Sequence, residues 1–131
     1  MAKERTKLTK KLDGLCRSII RLMYDNKCYR CGLKIEGQNS HPCHIIAKGN
    51  GASWRRFDLN NIFLGCFKCH RWWHDNPVES GKWFDEQFSP ARKKLLEKYK
   101  YGKPCPISTG EMKELVEEYK DELKLLQGEQ K

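Results

Sequence analysis

The stretch NIFLGCFKCHRWWH, residues 61–74, decides how the rest of the sequence is interpreted. It contains an asparagine, a Cys-x-x-Cys pair, a histidine directly after that pair and a second histidine four residues later. Its cysteines, Cys66 and Cys69, match an earlier pair, Cys28 and Cys31. Two such pairs can supply the four thiolates of a tetrahedral zinc site, which has no open position and is therefore structural. The sequence predicts one structural Zn²⁺ bound by these four cysteines.

The composition is consistent with a single small domain that a metal helps to stabilise. Of 131 residues, 33% are charged and 38% are hydrophobic, so the apolar core is small. Seven cysteines, four of them in the two pairs, favour zinc over disulfides in a reducing compartment. A redox Cys-x-x-Cys and four buried thiols are the alternatives. No apolar run approaches the roughly 18 residues of a membrane span, so we expect a cytoplasmic protein with no membrane partner.

Positive charge is concentrated towards the start of the chain. The net charge of +9 divides into +7 for residues 1–34, +5 for residues 35–110 and -3 for residues 111–131. This distribution indicates a polyanionic partner, most simply DNA or RNA, and the alternative is a basic protein without one. The candidate DNA-binding residues are Lys10, Lys11, Arg17, Lys48, Arg55 and Arg56.

Apolar spacing predicts helices at both ends of the chain and a mixed core between them. Within the core, short apolar runs at 43–46 and 59–64 predict two strands, and residues 67–74 predict a helix. A capping-box pattern at Ser108 predicts the start of the last helix, and residues 101–107 predict a linker before it. The predicted organisation is one domain, residues 1–131, with a basic N-terminal helix (4–25), a zinc-clamped core (28–76) and a C-terminal helical extension (83–126).

Between the two cysteine pairs, the order Cys43-His44, Asn61 and Cys66-x-x-Cys69-His70 resembles the HNH endonuclease motif, a ββα-metal finger. Nine positions separate Asn61 from His70, which is the usual spacing of that motif. Many HNH members also carry a four-cysteine zinc at these positions. The resemblance implies an α+β fold in which the zinc clamps a small ββα-metal finger flanked by helices. It also implies a metal-dependent DNA endonuclease.

The residues of the motif suit phosphodiester hydrolysis, which needs an activated water and charge stabilisation at phosphorus. His44 suits a general base, because imidazole titrates near neutral pH. His70 and His74 lie four residues apart on one helix face, where both can bind a divalent cation that acts as a Lewis acid. The alternative for His74 is a phosphate contact. Asn61 would hold the loop between the strands so that His44 points at the phosphorus. Its neighbour Asn60 is the alternative candidate for this role.

One position departs from the HNH pattern. Asp or His commonly precedes the base, whereas Cys43 stands here. A thiol is a poor ligand for Mg²⁺ and a tolerable one for Zn²⁺ or Mn²⁺. Cys43 is therefore a ligand beside His70 and His74, or it is silent while water or His41 completes the coordination. The sequence leaves the catalytic ion open among Mg²⁺, Mn²⁺, Ni²⁺ and Zn²⁺.

The layout outside the finger is similar to the NinG (Rap) family of phage recombination endonucleases. A basic helix leads into the first Cys-x-x-Cys-Gly, residues 56–58 (Arg-Phe-Asp) precede the asparagine, and a Lys/Glu-rich helix follows. That family often has Gly before the base and Asn after the last cysteine, where this chain has Cys43 and His70. The resemblance implies nicking or cleavage of branched or junction DNA during phage recombination, in the host cytoplasm if the protein is phage-encoded.

The sequence leaves two further interpretations open. The first is a non-catalytic zinc module that binds nucleic acid or takes part in phage assembly, and the irregularity at Cys43 favours it. The second concerns the final helix, whose apolar stripe from Met112 to Leu126 can form a homodimer or bind a recombination or packaging partner. Packing of this stripe within its own domain is the alternative to such a partner.

Overall fold

The structure is a computed structural model that describes residues 2–99 and 105–129. Within these ranges the chain forms a mainly helical α+β fold with one two-stranded sheet. The helices and strands, in chain order, are α1 (Ala2–Met23), β1 (His41–His44), α2 (Trp54–Phe57), β2 (Ile62–Gly65), α3 (Phe67–Asp75), α4 (Pro77–Gln87), α5 (Pro90–Leu96) and α6 (Thr109–Glu129). Short 3₁₀ helices span Gly37–Asn39, Leu59–Asn61 and Glu97–Tyr99.

Helices α1 and α6 pack against each other and contribute the largest part of the main core. Their apolar stripes meet there, and Leu12 and Met112 are completely buried. The chain leaves α1 through Asp25 and Asn26, which adopt left-handed backbone conformations with φ of 55° and 56°. Both helices confirm the predicted amphipathic pattern, and the stripe of α6 is covered by its own domain over Met112–Tyr119.

The predicted capping box at the start of α6 is also confirmed. The Ser108 hydroxyl accepts from the N–H of Glu111 at 3.0 Å, and the Glu111 carboxylate accepts from the N–H of Ser108 at 2.9 Å. These two hydrogen bonds satisfy N–H groups that a helix start leaves without partners. Of the predicted linker, residues 101–104 lie outside the described ranges.

The small sheet lies at the centre of the fold. Strands β1 and β2 pair antiparallel, with Cys43 opposite Phe63 and His44 opposite Ile62. All four residues of β2 are buried. A two-stranded sheet is marginal on its own, and this one is supported by α1 on one side and α3 on another. Strand β1 lies two residues before its predicted run. Strand β2 begins three residues after the start of its run, because Leu59–Asn61 forms a 3₁₀ turn capped by the Asp58 side chain.

The chain passes directly from β2 into α3. The side chain of Cys66 caps this helix by accepting from the N–H of Cys69. Pro77 then begins α4, so the helical extension starts six residues before the predicted position at residue 83. Beneath α4, Cys43, Phe63 and Phe88 form a second buried cluster, against which Trp73 and Trp83 pack.

None of the described helices is long and apolar enough to cross a membrane.

Candidate functional site

The two Cys-x-x-Cys pairs come together in space. One ligand atom from each of Cys28, Cys31, Cys66 and Cys69 lies within 4.8 Å of every other. The Sγ atoms of Cys31 and Cys66 are 3.8 Å apart. A tetrahedron with zinc–sulfur bonds of about 2.3 Å has edges of about 3.8 Å. The four cysteines are therefore close enough to bind a metal such as zinc, and the Cys31–Cys66 distance matches an edge of that tetrahedron.

Hydrogen-bond donors surround the sulfur atoms. Burial raises the pKa of the Cys28 thiol, but backbone N–H groups of Cys31, Cys66 and Arg30 outweigh it and lower this pKa to about 7. Arg30 also donates to Sγ of Cys69 at 3.5 Å. The pKa of Cys69 is nevertheless raised to about 12, chiefly by burial. Zinc binds thiolates, so loading the cluster releases the protons that its thiols still carry.

All four histidines of the chain lie on β1 and α3. The Nε2 atoms of His70 and His74 are 3.0 Å apart. Neighbouring ligands of an octahedral ion with bonds of about 2.1 Å lie about 3.0 Å apart, so both imidazoles fit one cation. Burial, together with the nearby His74, His41 and His44, lowers the pKa of His70 to about 4. His70 is therefore neutral at neutral pH, the form that binds metals.

His41 lies beside this pair. Its ring stacks on that of His70, with centroids 5.2 Å apart and planes 20° apart. Among the described residues its buried Nε2 atom has no hydrogen-bond partner. His41 therefore lies next to His70, but the described residues hold no three-ligand group that includes it.

Cys43 is placed differently from His41. Its thiol is buried against Phe63 and Phe88 and donates to the carbonyl oxygen of His41 at 3.5 Å. Burial raises the pKa of this thiol far above its usual range. In residues 2–99 and 105–129, the cluster of Cys28, Cys31, Cys66 and Cys69 is the only group of three or more His, Cys or acidic side chains placed to hold a metal ion. The structure therefore does not bring Cys43, His70 and His74 together as a three-ligand group.

His44 points away from the buried cluster. Its Nε2 atom lies 2.9 Å from the carbonyl oxygen of Arg56. A carbonyl only accepts, so Nε2 carries the proton and Nδ1 keeps a free lone pair. Burial lowers the pKa of His44 from its usual value. The indole of Trp73 donates to the His44 carbonyl at 3.2 Å and fixes the backbone of this residue.

Asn61 ties together the loop that joins the two strands. Its side chain is completely buried. Its Oδ1 accepts from the N–H of Ile46 at 2.8 Å, and its Nδ2 donates to the carbonyl oxygens of Ile46 at 2.9 Å and Arg55 at 2.8 Å. The neighbouring Asn60 side chain is exposed. The structure thus places Asn61, and not Asn60, in the network that holds the loop.

The two adjacent arginines of α2 have different surroundings. Arg56 forms a bidentate ion pair with Asp13, at 3.0 and 2.7 Å. Arg55 has a buried Nε atom without a hydrogen-bond partner among the described residues. Its guanidinium lies against the loop at Gly49, where a Cβ atom would come within 2.8 Å of Nη2. Arg56 is therefore already paired, whereas Arg55 keeps a donor without a partner in the part of the chain that the structure describes.

The remaining predicted DNA-binding residues are exposed. They are Lys10, Lys11 and Arg17 on α1 and Lys48 in the loop after β1. No sequence pattern pointed to three other contributors, Asp13, Arg30 and Arg92. Each of them acts on a residue at least 30 positions away in the chain. Such contacts leave no local pattern.

Comparison with known proteins places the chain in a family. A family model described as "Bacteriophage Lambda NinG protein" matches residues 1–129. A search of curated proteins finds no match, and a search of solved structures finds none. The family match includes both cysteine pairs and all four histidines. The chain therefore belongs to the NinG family of bacteriophage proteins.

Proposed function

We propose that this NinG-family protein is a metal-dependent DNA endonuclease with an HNH-type ββα-metal site, acting in phage DNA recombination. The family supports a role in recombination. The observation that carries the nuclease proposal is the joint placement of His44, Asn61 and His70. His44 lies on β1, Asn61 lies in the 3₁₀ turn directly before β2, and His70 lies on α3, which follows β2 and carries two of the four clustered cysteines.

In this proposal His44 is the general base. Its Nε2–H donates a hydrogen bond to the Arg56 carbonyl, which leaves Nδ1 to accept a proton from the attacking water. The lowered pKa keeps the ring neutral and ready to accept at neutral pH. Asn61 acts indirectly, because its hydrogen bonds to Arg55 and Ile46 hold the loop that positions the ring.

His70 and His74 would hold the catalytic divalent cation. Such an ion, when bound, stabilises charge on the phosphate oxygens and on the departing oxygen. The Nε2 atoms of both residues converge at 3.0 Å. Two imidazoles without a carboxylate favour Zn²⁺ or Ni²⁺ over Mg²⁺. Cys43 has no part in this proposal, because its thiol is packed in the apolar cluster.

DNA would bind across the basic side of the site. Arg55 would be the principal phosphate contact, since its Nε has no hydrogen-bond partner among the described residues and its backbone belongs to the Asn61 network. Exposed Lys48 follows β1 on the same loop as Gly49. Lys10, Lys11 and Arg17 extend the positive surface along α1. Binding through phosphates should weaken steeply as salt rises.

The test is nicking of supercoiled plasmid by the zinc-loaded protein with Mg²⁺, Mn²⁺, Ni²⁺ or added Zn²⁺. We expect cleavage with at least one ion. His44→Ala should abolish cleavage while zinc content and DNA affinity stay at wild-type values. Nicking by His44→Ala at the wild-type rate would show that another group is the base. Matched linear, nicked, forked and four-way substrates then identify the preferred DNA, including the branched DNA implied by resemblance.

The second candidate is a non-catalytic zinc-stabilised module that binds nucleic acid or a phage-assembly partner. The burial of Cys43 favours it, since no three-ligand group forms around the histidines in the part of the chain described. DNA binding without cleavage of any of these substrates, with any of the four ions, would support this candidate. Light scattering would then measure the mass of the particle, which would be raised by a homodimer or by a bound assembly partner.

A further inference from the structure

One side chain from outside the β1–β2–α3 unit holds the backbone on both sides of Asn61. Arg92, on α5, donates from Nε to the carbonyl oxygen of Asn60 at 2.9 Å and from Nη2 to that of Ile62 at 2.8 Å. Its Nη1 donates to the hydroxyl of Tyr24 at 2.9 Å. All three guanidinium nitrogens of Arg92 therefore donate hydrogen bonds, and two of them bind the carbonyl groups of the residues on either side of Asn61.

Arg92 is itself fixed by its surroundings. Its backbone N–H donates to the hydroxyl of Ser89, the residue that caps α5, at 3.2 Å. Its guanidinium carbon lies 4.7 Å from the ring centroid of Phe88. A lysine ammonium is a single point donor and lacks the planar fork that serves two carbonyls at once. This contact therefore depends on arginine and not merely on a positive charge.

Asn61 transmits this constraint to His44 through two neighbouring carbonyl groups. The side chain of Asn61 donates to the carbonyl of Arg55 at 2.8 Å, and the next carbonyl, that of Arg56, lies 2.9 Å from His44 Nε2. The carbonyl of Asn61 also accepts from the N–H of Ile45, the residue after His44, at 2.8 Å. A displacement of Asn61 would therefore move both the strand that carries His44 and the group that orients its ring.

We propose that Arg92 is a positioning residue of the nuclease site, which holds the peptide groups around Asn61 and thereby fixes the orientation and tautomer of His44. The inference rests on the proposed function and adds to it a residue of the helical extension. The physical need follows from the size of the sheet, because two four-residue strands do not hold a loop rigidly without support.

The experiment compares wild type with Arg92→Lys and Arg92→Gln, and uses Lys94→Gln, an exposed residue of the same helix, as the matched control. We expect kcat for nicking to fall about tenfold or more in both Arg92 variants, with KM and zinc content unchanged, because a small misplacement slows the chemistry without weakening binding. Lys94→Gln should behave as wild type. Arg92→Lys keeps the positive charge and the aliphatic part of the side chain. If Arg92→Gln does not fold, the kcat of Arg92→Lys alone tests the proposal.

A second readout does not depend on activity. ¹⁵N NMR of the imidazoles should show His44 with its proton on Nε2 in wild type and a mixture of tautomers in the Arg92 variants. Normal kcat together with an unchanged His44 tautomer would overturn the proposal, and so would a loss of thermal stability alone. If wild type nicks no DNA, the nuclease proposal fails, and the NMR comparison still decides whether Arg92 controls His44.

Discussion

Replacing Asn61 with alanine should destabilise the protein far more than the same change at Asn60, the adjacent asparagine. The Asn61 side chain is completely buried and makes three hydrogen bonds, two to Ile46 and one to Arg55. The Asn60 side chain is exposed. The two substitutions remove the same atoms one residue apart, so their difference isolates the network around Asn61.

The magnitude follows from the contacts. A net hydrogen bond contributes about 1 kcal/mol, so the loss of three lowers the free energy of unfolding by about 3 kcal/mol. The cavity left at a buried site adds about 1 kcal/mol. For a chain of this size, about 4 °C of melting temperature corresponds to each kcal/mol, which gives a decrease of roughly 12–16 °C. Asn60→Ala should stay within about 2 °C of wild type, as surface substitutions usually do.

The assay is thermal unfolding followed by circular dichroism, at one fixed free zinc concentration because a bound metal shifts the melting temperature. Both variants are first checked for wild-type zinc content. If Asn61→Ala melts within 2 °C of Asn60→Ala, the network does not stabilise the loop as the structure indicates. The assignment of Asn61 as the residue that holds the loop would then have to be abandoned.

Three further predictions concern the metal, the base and the arginines. Cys66→Ser should abolish the thiolate-to-metal absorption of Co²⁺-substituted protein, while Cys105→Ser, outside the four-cysteine cluster, should retain it; equal spectra would contradict the assigned ligands. The general base must be neutral, and burial lowers the pKa of His44, so the rate of nicking should fall only as the pH drops below about 6.5. A pH–rate profile with its acidic midpoint above that value would argue against His44 as the base. Arg55→Ala should weaken DNA binding and reduce the salt dependence of that binding, with little change in melting temperature. Arg56→Ala should instead lower the free energy of unfolding by about 1–2 kcal/mol, because it breaks the ion pair with Asp13. Titrations against salt and melting curves of both variants check this, and the reverse pattern would show that the two roles are exchanged.

Local chemistry accounts for the parts of the fold that sequence analysis predicted well. The α+β class, the capping box at Ser108 and the start of α3 depend on residues within a few positions of one another. The four-cysteine cluster was predictable for a different reason. A Cys-x-x-Cys pair is already a chelating unit, so two pairs need only meet once in space. The strand boundaries were less accurate, because the 3₁₀ turn at Leu59–Asn61, capped by the Asp58 side chain, delays the start of β2 to Ile62.

The candidate site was predicted only in part. Spacing along the helix suffices to put His70 and His74 on one face, and their Nε2 atoms do converge. Spacing says nothing about whether a thiol is buried by distant aromatic residues, as Cys43 is by Phe88. It also cannot distinguish Arg55 from Arg56, since the difference lies in Asp13, 43 positions away.

The sequence by itself determined which chemical groups are present and in what order: four thiols in two chelating pairs, and a histidine, an asparagine and two further histidines between and after them. Only the tertiary structure decided which of these groups are available. It buried Cys43, paired Arg56 and placed Arg92 against the backbone beside Asn61. Within residues 2–99 and 105–129, it also left one nitrogen each of Arg55 and His41 without a partner. The reason is physical, because burial and the partner of a charge depend on packing between segments that the chain order does not bring together.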